Sequence, residues 1–284
     1  MSRQERRQRL SRLGAVIETV ERHGLPPMPQ LVELAAVVAL IDGIMDRGPA
    51  AGRSGRVLKR VVELQDKSNA NAPFHKEVAC RKGCAFCCSL YVSALPPEIF
   101  AVADFIRDGA ADLAAEIARI ETVDANTRGL DPRGRFINKA PCALLIDGAC
   151  SVYPVRPMVC RGMLSRSKDA CERAYNGDAL DYVEAIEPAS ILRSAYGEAL
   201  LLALHRRGLP LRGYELAHAV LVALKDASAE ERWYAGDDVF AGVGADAHTV
   251  RASDALFWQS LWNAAHGEPV PPGPYAGRFP DWCR

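Results

Sequence analysis

Residues 80–88, CRKGCAFCC, place four of the chain's nine cysteines within nine positions. At roughly 100° per residue, a helix would set Cys80, Cys84, Cys87 and Cys88 inside one arc of about 100°. A loop that turns at Gly83 and then enters a helix gathers the same sulfurs, because glycine accepts backbone conformations that a Cβ forbids. The sequence leaves both forms open. Either one puts sulfur on one side, and a stripe of small core hydrophobes would have no need of cysteine for that. Arg81 and Lys82 alongside supply positive charge that favours thiolate over thiol.

A second group, Cys142, Cys150, Cys160 and Cys171, lies in PCALLIDGACSVYPVRPMVCRGMLSRSKDACERAY. Asp147-Gly148 between two apolar runs signals a two-residue hairpin turn. Pairing outward from that turn sets Ile146 opposite Ala149, Leu145 opposite Cys150 and Cys142 opposite Tyr153. An ideal ladder would then point Cys142 and Cys150 to opposite faces. Pro154 ends the hairpin, and Pro157 has the fixed φ suited to the first turn of a helix, with Cys160 about one turn in. Amides at a helix start and the flanking Arg156 and Arg161 would lower the Cys160 pKa and offset the charge of a thiolate cluster.

A chain of 284 residues can bury a core without metal or disulfide staples, so a metal here is free to be more than a clamp. Lys+Arg and Asp+Glu balance at 35 each, which argues against a phosphate backbone as partner. Arg3, Arg6, Arg7, Arg9 and Arg12 crowd the N-terminus, but Glu5, Glu18 and Glu21 interrupt them at helical spacing, as on a solvated helix face. No apolar run reaches the roughly 18–20 residues of a membrane span. The expected location is cytoplasmic, where thiols stay reduced and clustered cysteines bind metal or do redox chemistry.

Apolar positions three and four apart predict helices over Gln4–Arg22, Gln30–Asp46 and Arg56–Asp66, with Ser68–Pro73 as a polar linker. The pattern returns over Ile191–Arg206, Arg212–Lys225, Glu230–Phe240 and Ser253–Ala265, and a Pro-rich tail reads as extended and surface-tracking. The expected fold is mainly α: helical flanks (1–73 and 176–284) around a small irregular cysteine-rich α+β metal-binding core (74–175) with a short β-hairpin. Cys283 sits alone in the tail and is not expected to bind metal. His75, five residues before Cys80, could add a nitrogen ligand; His23, His205, His218, His248 and His266 read as surface or packing residues.

The set Cys80-x3-Cys84-x2-Cys87-Cys88, Pro141-Cys142, and Cys150-Ser151-Val152-Tyr153-Pro154-x-Arg156-Pro157-x2-Cys160-Arg161 resembles the YkgJ-type cysteine-cluster family of zinc- or iron-chelating proteins. That family shares its motif with flagellin lysine methylases. The resemblance implies metal or iron–sulfur binding by Cys80, Cys84, Cys87, Cys88, Cys142, Cys150 and Cys160, with Cys171 matching members that carry a further cysteine. The first three cysteines also match the spacing of radical SAM enzymes, but the strand–helix succession of their barrels does not follow here. Thiolate ligands suit zinc or iron, including a [4Fe–4S] cluster, rather than magnesium or calcium. Three function classes follow: a metal-binding protein, a metal- or cluster-dependent enzyme acting on a protein or peptide substrate, and a thiol redox sensor using Cys87-Cys88 or a low-pKa Cys160.

Overall fold

The computed structural model describes residues 2–47, 49–177, 183, 185–247 and 252–283. Three helices precede the cysteines: α1 (Arg3–His23), α2 (Leu31–Met45) and α3 (Arg53–Asn71). A capping box starts α1, with the Ser2 hydroxyl accepting the Glu5 N–H (3.2 Å) and the Glu5 carboxylate accepting the Ser2 N–H (2.5 Å). Its arginines form the expected solvated face, apart from the buried Arg9. α2 is apolar on nearly every side, and Ala35–Val38 are fully buried, so it runs through the core, packed against α1 and two later helices, Glu187–His205 and Ala252–Ala265.

The segment expected to be a polar linker is instead the end of α3. Ser68 and Asn69 are buried there. Ser68 Oγ donates to the Leu64 carbonyl (2.9 Å), accepts the Leu25 N–H (2.5 Å) and pairs with the Tyr196 hydroxyl (2.7 Å). A polar side chain satisfied by protein partners has no need of solvent, so composition alone misplaced the helix end.

Next come β1 (Ser93–Ala94), α4 (Pro96–Gly109), α5 (Leu113–Thr127), α6 (Pro132–Ile137), the hairpin β2 (Leu145–Ile146) and β3 (Ala149–Cys150), α7 (Met158–Gly162) and α8 (Lys168–Asn176). The hairpin has the register its turn residues predict, Leu145 opposite Cys150 and Ile146 opposite Ala149. Positive φ at Asp147 (49°) and Gly148 (75°) gives it the type I′ turn that matches strand twist.

The chain closes with α9 (Glu187–His205), β4 (Arg212–Glu215), α10 (Leu216–Lys225), α11 (Ala229–Tyr234), β5 (Ala245–Ala247) and α12 (Ala252–Ala265). Two expected helices are corrected. Arg212–Glu215 is not helical but the middle strand of a small antiparallel sheet, order β1-β4-β5, with Ala94 opposite Tyr214. Gly213 allows that pairing, since a Cβ there would lie 2.3 Å from Ser93 Oγ. α11 stops at Tyr234, ahead of the left-handed Gly236 (φ 104°). The tail is not extended along the surface either: it turns into short 3-10 segments at Ala276–Arg278 and Asp281–Cys283 and buries Val270 and Phe279.

The fold is thus mainly α, and one hydrophobic core takes residues from the N-terminal, cysteine-rich and C-terminal stretches alike. Leu144, Val152 and Met158 anchor the cysteine-bearing segment in that core. The short α7 is fixed from two sides. Gln65 of α3 donates to the Met158 carbonyl (3.3 Å), while Gly162 lies so close to α9 that a Cβ would stand 2.5 Å from Arg193 Cβ. Gly162→Ala is therefore expected to lower the unfolding free energy by about 1–3 kcal/mol, although alanine is the better helix former by about 1 kcal/mol. Urea denaturation checks this; an unchanged or raised midpoint would show that α7 can retreat from α9.

Candidate metal centre

The first cysteine stretch is a loop leading into a 3-10 helix, Phe86–Ser89, rather than one continuous helix. The Cys84 N–H closes a turn on the Arg81 carbonyl (3.0 Å), and Gly83 takes φ 88° within it. At one end the Ala79 N–H bonds the Ser165 carbonyl (2.9 Å). At the other, the Phe86 ring packs on Tyr175 of α8, with ring centroids 5.8 Å apart. The Cys142 N–H bonds the Cys88 carbonyl (2.6 Å), which joins the two cysteine groups through the backbone.

A cavity of about 160 Å³ opens between them, and Cys80, Cys84, Cys87, Cys88, Cys142, Cys150 and Cys160 all stand in its wall. Cys142 and Cys150 share it despite the parity of an ideal ladder, because the strand pairing ends at Leu145 and the chain turns there, Leu145 N–H to the Cys142 carbonyl. Cys171 does not line the cavity; it lies on α8, near enough for its charge to bear on Cys80. These eight cysteines are free thiols. The Cys283 side chain and His248 lie outside the described residues. His75 is exposed and away from the cavity wall.

Backbone amides point at the sulfurs: Ser165 N–H to Cys80 (3.3 Å), Leu144 N–H to Cys142 (3.5 Å) and Val152 N–H to Cys150. Such bonds favour thiolate, but burial outweighs them. Burial pushes Cys142 up to about 11, and raises Cys80 and Cys150 as well, with neighbouring thiols adding to each rise. Cys87, on the exposed rim, goes the other way, to about 7, because it accepts a hydrogen bond from the Cys88 thiol and faces Arg156. Cys88, the donor, is raised accordingly.

The expected low pKa at Cys160 is not found. Its thiol is pushed up, first by burial, then by the charges of Cys142, Cys87, Cys150 and Glu98. The five residues of α7 offer too little helix to outweigh an apolar wall.

The two arginines have different surroundings. Arg161 is buried and spends its donors on Asp66 Oδ2 (2.5 Å), the Arg156 carbonyl (3.1 Å) and the carbonyls of Tyr153 and Pro154, tying the Tyr153–Arg156 turn to α3. Its charge still lowers the Cys150 pKa. Arg156 borders the cavity with its guanidinium over the Tyr153 ring, 4.1 Å from the centroid.

Two residues of the site escaped sequence reasoning. Glu98 is fully enclosed beneath Cys160, and its carboxylate accepts the N–H of Leu95 (2.8 Å) and of Met158 (2.7 Å). Leu95-Pro96-Pro97-Glu98 does signal a helix start, but not the reach across to α7. Arg135 is buried 3.9 Å from Glu215 and lowers the Cys142 pKa; nothing local in its sequence marks it.

The donor chemistry fits zinc or iron: soft sulfur in excess, supported by amides, with no oxygen-rich cluster. As they stand, no three Cys, His, Asp or Glu side chains among the described residues are arranged to grip one ion.

Removing the Glu98 carboxylate leaves two buried N–H groups without partners. Glu98→Ala is expected to cost about 2–4 kcal/mol in urea denaturation and to speed alkylation of Cys160. A loss below about 1 kcal/mol with unchanged alkylation would show that the carboxylate does not hold α7.

Residues 79–176, about a third of the chain, match a family model described as "CxxCxxCC: Putative zinc- or iron-chelating domain", although the first spacing here is three residues rather than two. No curated protein and no solved structure matches the chain. All seven cavity thiols lie inside the matched segment, and that segment is similar to the cysteine-cluster domains the family model describes.

Proposed function

We propose that the cavity holds zinc or iron through thiolates drawn from Cys80, Cys84, Cys87, Cys88, Cys142, Cys150 and Cys160, and that this metal centre is where the protein acts. The observation carrying the reading is the convergence of seven free thiols, from segments up to 80 residues apart, on the wall of one cavity. A hydrophobic core has no use for that convergence, whereas a soft metal does.

The number of thiols argues against a single closed zinc site, which uses four. A volume of about 160 Å³ is far beyond the roughly 10–15 Å³ that one water requires. Both features favour a polynuclear centre, such as an iron–sulfur cluster, or an ion with a position left open. Cys171 does not line the cavity and is left out of this ligand set.

Metal and acid-labile sulfide counted on protein purified without oxygen, with an absorption spectrum, test the reading. Near-stoichiometric zinc or iron is expected, together with its loss in Cys84→Ser; protein free of both metals, or an unaffected variant, would overturn it. Uptake must also release protons, because burial holds most of these thiols protonated near neutrality. The sign follows: apparent affinity falls as pH is lowered, by roughly tenfold per pH unit for each proton displaced. A competition titration at several pH values measures this, and an affinity flat with pH would contradict thiolate ligation.

A further inference from the structure

We propose that the cavity also takes a small organic carboxylate, held by Arg156 against Tyr153. The inference rests on the metal reading in one respect: the thiols are assigned to the metal, which leaves the arginine for a ligand.

A guanidinium presents a planar face and an edge of five N–H donors. At Arg156 the face is covered by the Tyr153 ring (4.1 Å), and the edge is not spent. Its Nε is buried without a hydrogen bond, and no carboxylate among the described residues pairs with it. Arg161, five residues on, bonds three carbonyls and Asp66, so the local chain supplies acceptors freely to one arginine and none to the other. A cation held by stacking, with unused donors at the wall of a cavity, matches the two parallel bonds a carboxylate makes to arginine.

The other walls set the ligand's body. Leu90, Val92, Leu144, Val159 and Leu216 line the same space, so an organic acid fits better than inorganic phosphate. The volume, about 160 Å³, is close to that of an engineered apolar cavity of about 150 Å³ that admits benzene. A single ion with an open position, the second form of the centre named above, shares that space with a short-chain acid.

The test is calorimetric titration of the metal-containing protein with butyrate, its uncharged analogue butyramide, and inorganic phosphate, repeated on Arg156→Gln. Butyrate is expected to bind at least about tenfold more tightly than butyramide or phosphate, and Arg156→Gln, compared at equal metal content, to lose about tenfold for butyrate alone. Equal binding of butyrate and butyramide, no binding of either, or phosphate binding as tightly as butyrate would overturn the proposal. Arg156→Gln protein that keeps its full butyrate affinity at equal metal content would also overturn it. If that variant does not fold, the butyrate–butyramide comparison on the unaltered protein decides. Metal is counted before titration, so absence of zinc and iron condemns the metal reading separately from the carboxylate result.

Discussion

The Glu98 carboxylate is the constraint on which the cysteine wall depends. α4 opens with two prolines, which bring no N–H of their own, and Glu98 reaches back to the Leu95 N–H just ahead of them. Its second oxygen crosses to the Met158 N–H, the first residue of α7. One buried group thereby serves two helix starts and fixes the distance between them. Burial raises its pKa, opposed by those two N–H bonds and by the charges of Arg161 and Arg193. Cys160 and Arg161 both ride on α7, so the position of one thiol and of the Tyr153–Arg156 turn follows from where that carboxylate sits.

The thiols above it are set against one another. Burial moves Cys142 from the ordinary 9.0 to about 11, so ionising it in place costs about 3 kcal/mol more than in water. Each further thiolate in the wall adds repulsion, since the neighbours of Cys80, Cys150 and Cys160 all raise those pKa values. Arg156 and Arg161 offset part of this at Cys150, and Arg135 at Cys142. Two or three cations cannot neutralise seven thiolates. A structural zinc site releases about 10–16 kcal/mol, enough to displace several such protons, so a soft cation suits this wall.

What the sequence disclosed depended on how local the cause was. The helices from α1 to α3, α9 and α12 follow from periodicity, and the hairpin register follows from Asp147-Gly148, because both are decided within a few residues. The cysteine stretches were legible by composition and by family pattern. Ser68 read as linker because its partners, Leu25 and Tyr196, lie 43 and 128 residues away. Arg212–Glu215 read as helix because nothing in its own letters reveals β1 and β5 on either side. The same limit hid Glu98, whose second bond spans 60 residues, and misjudged Cys160, where the helix-start argument was sound but the burial opposing it comes from tertiary packing.

The two halves of the wall are held unequally, and this bears on how metal could be gripped. Cys142, Cys150 and Cys160 sit beside Leu144, Val152 and Met158, which are core residues, and Glu98 fastens the last of these. Cys84, Cys87 and Cys88 belong to a loop and one 3-10 turn; the loop hangs on the Ala79–Ser165 bond, the Cys142–Cys88 bond and the Phe86–Tyr175 contact. Since no three donors among the described residues are arranged to grip one ion, metal binding at this wall would require some sulfur to move. Displacing the first three would disrupt packed apolar side chains, whereas Arg81–Gly83 are exposed and the left-handed Gly83 has open space where a Cβ would stand. The half of the wall seated on the core is therefore held more firmly than the CRKGCAFCC loop.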